Sequence, residues 1–386
     1  MAETMTRRDV LARGGAAAGA LAAMGLPEWV LPALAQGESL VPFTDIPESF
    51  NPNPNEFTRF LDIRRIDGPF TPRDQFFTLQ HYGHPEVDPA AYRLTVTGLV
   101  DRPLSLSLDE LRRLGTADLV AGFECSGNGP ARVQGLASNG RWTGIPLADL
   151  LARAGVRPEA EEVVFLGADK GEEDVEFRGR TFKVEQQFGR SLLVANAMGG
   201  AFVAHALNGE PLTRHQGFPV RLLVPGWYGV ANVKWLSEIH VQQGRFVGKW
   251  QVRWYRTLRG ETIDGEIKWQ ETEISRLRLK SVIARVTRAG GAHRVMGFVL
   301  NDGTPLRSVE VSVDDGPWQA ATLDPSNTKY SWKLFSWRWE GATPGEHTLV
   351  SRVTDATGRV QPTTAELESK LTFLENNAQF PRRLRV

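Results

Sequence analysis

Gly217-Phe218-Pro219-Val220-Arg221-Leu222-Leu223-Val224-Pro225-Gly226-Trp227 holds an apolar run, broken once by arginine and stopped by Pro-Gly. That pattern predicts a short buried strand over 220–224. Arg221 sits in mid-strand, and a guanidinium among apolar neighbours calls for an anion or carboxylate, unless the strand is a solvated edge. Lys234, between Val233 and Trp235, poses the same problem. Tyr255, after Trp250 and Trp254, reads either as a packed aromatic or as a phenol able to move protons. Towards the N terminus, as far as Phe57, short strands and helices alternate without a repeating βαβ order. Tyr92 to Thr97 alternates like a half-buried strand, Ser107 caps a helix through Leu114, and Val163 to Leu166 is apolar. The class is α+β.

Beyond Lys268 the pattern changes. Val282–Val286, Val295–Leu300, Val309–Val313, Trp332–Trp339 and Thr348–Val353 alternate in hydropathy and are separated by Asn-Asp-Gly, Asp-Asp-Gly, Pro-Gly and Thr-Gly turns. Such spacing predicts an all-β sandwich of immunoglobulin-like architecture.

The single cysteine, Cys125, excludes a disulfide framework and thiolate zinc sites built from several cysteines. It lies in Gly122-Phe123-Glu124-Cys125-Ser126-Gly127-Asn128-Gly129-Pro130, a strand-like lead-in followed by a tight loop of small residues. Spacing leaves three readings open: an inert buried thiol, an acyl-transfer nucleophile with a histidine nearby, or a thiolate ligand to a soft metal. His81 and His84 are close enough to share a metal, but Gly83 and Pro85 oppose a helix and favour loop residues.

Thr6-Arg7-Arg8-Asp9-Val10-Leu11 precedes a small apolar run to Leu26, and Ala33-Leu34-Ala35 reads as a cleavage site. This predicts a twin-arginine signal over 1–35 and export of a folded protein to the periplasm, with no membrane span once the signal is removed. Four prolines between Leu40 and Asn55 predict an extended lead-in over 36–56 with little regular structure. Lys+Arg and Asp+Glu are 45 each, a balance that argues against a nucleic-acid-binding surface.

Taken together, several motifs resemble the sulfite oxidase family of molybdopterin-dependent oxidoreductases. They are Phe76-Phe77 with His81, Gly98-Leu99-Val100-Asp101, Glu124 to Gly129, Gly144-Ile145-Pro146-Leu147 and Gly167-Ala168-Asp169. Asn208-Gly209-Glu210-Pro211-Leu212, the 217–227 block and Val233-Lys234-Trp235-Leu236 complete the set. The resemblance implies a molybdopterin-binding catalytic domain over 57–267 and a dimerisation domain over 268–386, hence a possible homodimer. It implies that Cys125 gives the protein thiolate to molybdenum, and that Tyr255 is the active-site tyrosine. Phe76, His81, Asn128, Asp169, Gln216, Arg221 and Lys234 would hold molybdopterin, Gln216 replacing a phosphate-contacting histidine of animal members. Arginines that hold sulfite in the family are replaced by Leu79, Pro130 and Thr372, although Arg132 is close by. The expected activity is two-electron, oxygen-atom-linked oxidation of sulfite or a related small sulfur compound. With one cysteine there is no Cys-x-x-Cys-His haem motif, so electrons would pass to an external carrier such as cytochrome c. Two rivals stand beside it: sulfoxide or N-oxide reduction on the same cofactor, and a cysteine hydrolase or non-catalytic binding protein.

Overall fold

The structure, a computed structural model of the chain, describes residues 37–47, 50–367 and 374–386. The leader expected over 1–35 and the replacement at Thr372 therefore lie outside the described residues. The described chain is mostly β, with few and short helices, so the helical share expected of a mixed class is smaller than the sequence pattern implied. The helices that do form have local causes. Ser107 and Glu110 make a reciprocal capping box at the start of Leu108–Arg113, and Leu108 and Leu111 are its buried face. Leu147–Ala154 buries Leu147, Leu150, Leu151 and Ala154 on one stripe and ends at Gly155 in the left-handed region.

A two-stranded ribbon, Thr58–Arg59 with Thr78–Leu79, and two five-stranded sheets build the first half. One has the order Leu104–Leu106, Leu94–Gly98, Leu236–Gln242, Glu162–Phe177, Arg180–Leu193, with Leu94–Gly98 and Leu236–Gln242 paired in parallel. The other sets Phe202–Leu207 against Ala137–Pro146, which pairs with Ala117–Glu124, while Arg221–Leu223 pairs with Phe202–Leu207. Leu94, Val96, Val163, Phe165, Val203, Leu222 and Ile239 meet in one apolar core between them. The strand that holds the apolar stretch Val163 to Leu166 runs on past Gly167 to Phe177, because a register shift between Leu166 and Lys170 absorbs the irregular residues without ending the ladder.

An antiparallel hairpin, Arg256–Ile263 with Glu266–Glu273, carries the chain across the boundary expected at 267/268. Two further antiparallel sheets follow, and all five segments expected there are strands. Lys280–Ala289, Ala292–Leu300 and Lys333–Trp339 form the body of one; Leu306–Val313 and Glu346–Asp355 are central in the other. Ile283, Val295, Val309, Trp337, Leu349 and Val353, drawn from both, share a core. The lead-in is more regular than its prolines suggest. Glu38–Val41 adds an edge strand to Lys280–Ala289, since Glu38 precedes the first proline and its backbone is free to join the ladder. A separate cluster joins Leu61, Ile63 and Ala137 of the first half to Val282, Phe298 and Trp332 of the second.

Candidate active site

Strand Ala117–Glu124 ends where Glu124 faces Ala137, so Cys125 is the first residue free of the ladder. The loop then turns tightly: Cys125 N–H donates to Leu136 O at 2.9 Å and Asn128 N–H donates to Cys125 O at 2.9 Å. The thiol is buried but lines a pocket shared with Thr78, Leu79, Gln80, His81, Asp169, Phe188, Arg221, Lys234 and Tyr255. Burial pushes its pKa up, so a thiolate here needs a positive partner.

Two cations supply positive charge. Arg221 is 4% exposed and opposes Ala204 at the start of its short strand. Its Nη1 and Nη2 donate to the carbonyls of Gln216 and Asn232, both at 3.1 Å, and its Nε is buried with no partner. The guanidinium lies over Phe123 and Trp142, 5.4 and 5.1 Å from the ring centres. Burial lowers its pKa to about 9. Lys234 Nζ donates to Leu79 O at 3.0 Å, Gln80 Oε1 at 3.3 Å and Thr78 Oγ1 at 3.4 Å. Burial first, then Arg221, lowers its pKa. Gly217 makes room for it: φ is +96°, and a Cβ there would stand 2.7 Å from Lys234 Cβ.

Asp169 sits in the irregularity of strand Glu162–Phe177, fixed by the Ala168 N–H bond to Trp235 O at 2.8 Å. It is 4% exposed, with Oδ1 unpartnered, and burial raises its pKa. His81 stacks on Trp250 with centroids 3.9 Å apart, and its Nε2 is 2.8 Å from Tyr255 Oη. Loss of hydration between these rings, with Lys234 and Lys249 nearby, pushes its pKa down to about 4. The imidazole is neutral at pH 7, and the Tyr255 hydroxyl can donate to it. Burial raises the pKa of Tyr255.

Six of the residues singled out from the sequence thus meet in one pocket: His81, Cys125, Asp169, Arg221, Lys234 and Tyr255. Three others do not line it. Phe76 is core, packed on Phe77 and Trp142. Asn128 spends its amide on Glu124, Gln134 O and Leu136 N–H, holding the cysteine loop. Gln216 bonds Thr213 N–H of its own turn and Arg73 O of a distant segment, so its amide is spent on backbone, where the resemblance implied a phosphate contact. His84 turns to His215, 2.9 Å between nitrogens, away from the His81–Tyr255 pair. Sequence reasoning missed Thr78, Gln80, Phe188 and Trp250. It also missed Arg190, which is buried against the carbonyls of Trp250 and Ile274 at 2.6 and 2.8 Å. The signal that marked Arg221 was absent for Arg190, whose neighbours Gly189 and Ser191 give no apolar frame in the sequence.

Among the described residues no group of three or more His, Cys, Asp or Glu side chains could hold a metal ion. A metal bound at Cys125 must bring most of its ligands with it. The pocket fits such a guest. Arg221 Nε, Gln80 Nε2, Asp169 Oδ1 and Ser126 Oγ are buried without partners in or beside it, and an anionic, hydrogen-bonding cofactor satisfies groups of that kind.

Comparison with known proteins agrees. Residues 81–250 match the family described as "Oxidoreductase molybdopterin binding domain". The chain is 32% identical to sulfite oxidase of Gallus gallus over 327 residues, covering 76% of this chain and 68% of that protein. It is 30% identical to mitochondrial sulfite oxidase of Rattus norvegicus over 327 residues, 76% of this chain but 57% of that longer protein. Among solved structures, the sulfane dehydrogenase SoxCD from Paracoccus pantotrophus superposes with a TM-score of 0.74 at 27% identity, covering 88% of this chain and 89% of that one.

Proposed function

Because this chain belongs to the sulfite oxidase family of molybdopterin-dependent oxidoreductases, we propose that it oxidises a small sulfur compound by two electrons. Sulfite and sulfane sulfur, the substrates in the names of its relatives, define the class. For sulfite the balance is SO₃²⁻ + H₂O → SO₄²⁻ + 2H⁺ + 2e⁻. The observation that carries this reading is the buried thiol of Cys125 in a pocket with Arg221 and Lys234, whose hydrogen bonds go to carbonyl and neutral side-chain oxygens.

The bound cofactor supplies oxygen-atom transfer and two-electron exchange. Cys125 holds the metal by its sulfur. Arg221 and Lys234 hold the cofactor's anionic oxygens, and Asp169 and Gln80 pair with its hydrogen-bonding edge. Tyr255 Oη donates a hydrogen bond to the substrate's oxygens, in exchange for the one it can donate to neutral His81 Nε2, 2.8 Å away. Phe77, Phe123 and Phe188 keep water from the floor. In the same reading the electrons leave one at a time to an external carrier of the cytochrome c kind. The 1–35 leader sends the folded protein to the periplasm, and the C-terminal pair of sheets is the immunoglobulin-like dimerisation domain.

A second reading has support in the lining itself. Leu79 occupies the place of a sulfite-holding arginine, and Phe188 adds further apolar surface, which suits a neutral sulfoxide or N-oxide reduced on the same cofactor. Initial rates with sulfite and cytochrome c, set against methionine sulfoxide and a reduced dye, separate the two.

Cys125→Ser should lose at least about a hundredfold in turnover and most of its bound metal, with the circular dichroism spectrum unchanged. Elemental analysis of the purified variant checks it, and wild-type metal content with wild-type turnover would sink the assignment.

A further inference from the structure

Glu124, the neighbour of Cys125, has a partner from the far end of the chain. Lys280 opens strand Lys280–Ala289, and its Nζ donates to Glu124 Oε2 at 2.8 Å. Both side chains are 1% exposed. The same carboxylate oxygen accepts Asn128 Nδ2 at 2.9 Å, and Asn128 Oδ1 accepts the Leu136 N–H at 3.0 Å. Leu136 O in turn accepts the Cys125 N–H at 2.9 Å. An unbroken run of bonds therefore leads from the ammonium group of a C-terminal sheet to the backbone that carries the thiol.

A buried ion pair is a poor device for stability alone, because well-packed apolar replacements do as well or better. Its worth lies in fixing geometry, and losing Lys280 leaves a charged carboxylate buried beside the sulfur with only the neutral Asn128 amide to hold it. The final segment of the chain grips the same loop, through the Glu375 N–H bond to Ser126 O at 2.7 Å. We propose that Lys280 is a positioning residue for Cys125, so that the C-terminal sheets complete the metal-binding loop from below. This extends the assignment of Cys125 as the metal's thiolate.

The test uses the full-length chain, grown without molybdate, and the rate at which iodoacetamide alkylates Cys125 at fixed pH. One cysteine makes the readout specific. Lys280→Met, checked for a wild-type circular dichroism spectrum, should label at least about tenfold faster as the loop loosens, and should retain about tenfold less molybdenum when loaded. The double variant Glu124→Gln/Lys280→Met, which leaves no buried charge, should return both values to within about twofold of wild type. A folded Lys280→Met protein labelling at the wild-type rate overturns the proposal. So does a folded double variant that still labels tenfold faster, whether or not the single variant folds. A wild-type chain that labels slowly yet takes up no molybdenum sinks the cofactor assignment and leaves the role of Lys280 standing.

Discussion

Under the proposed function, Leu79 is the side chain through which substrate preference is most directly tested. It lines the pocket between Thr78 and Gln80, and its carbonyl accepts from Lys234. An arginine there would offer a dianion a charge-assisted hydrogen bond, worth about 1.5–3 kcal/mol. Leu79→Arg should therefore lower KM for sulfite by about tenfold to a hundredfold with a much smaller change in kcat. Steady-state kinetics with sulfite checks this; an unchanged KM places the dianion away from residue 79. At the same scale, Arg221 and Lys234 were legible because a charge among apolar neighbours is costly wherever it is buried. The positions of Phe76, Asn128 and Gln216 were not. Their side chains are polar or aromatic in the right segment, but whether an amide faces a ligand or its own backbone depends on the loop's path in space.

Among the elements, the C-terminal strands were legible from alternation, and the helix at Leu108–Arg113 from its capping box. The irregularity in Glu162–Phe177 that places Asp169 was not, since Gly167 reads equally well as a strand end. One strand end offers a pH test. His347, at the start of Glu346–Asp355, bonds Thr343 O at 2.7 Å and Asp314 Oδ2 at 2.6 Å. These bonds raise the His347 pKa, the Thr343 carbonyl most, while the Thr348 N–H and His347 lower that of Asp314. A raised histidine stabilises fully below its unfolded value of 6.5 and loses that contribution as pH rises through its folded value. A lowered carboxylate stabilises above 3.8 and loses its contribution as pH falls. The pair therefore contributes most between those two pH values. His347→Gln should lower Tm by at most about a few degrees at pH 5.5, and by less at pH 8.5, because the pair is partly solvated. Thermal melts at both pH values decide it, and an equal or larger loss at pH 8.5 would contradict the assigned ion pair.

Over the whole molecule, the two halves are bound by a shared core and by polar contacts near the pocket. Trp332 is 1% exposed and packs at a tilt on Phe298, and its backbone N–H donates to Asn139 Oδ1 in the strand beside the cysteine loop. Trp332→Ala should cost about 3–5 kcal/mol, and the wild-type chain should unfold in one transition. Denaturant titration followed by fluorescence and circular dichroism measures both, and two well-separated wild-type transitions would show independent halves. What the sequence by itself determined was the succession of elements, the family motifs and the residues able to carry chemistry, because hydrophobic period, capping and charge burial are local properties. Only the tertiary structure decided which of those residues share a pocket, that Glu38–Val41 closes a sheet near the opposite end of the chain, and that Lys280 reaches Glu124 across 156 residues. Such contacts leave no local pattern: each is a meeting of distant segments, set by how the sheets pack.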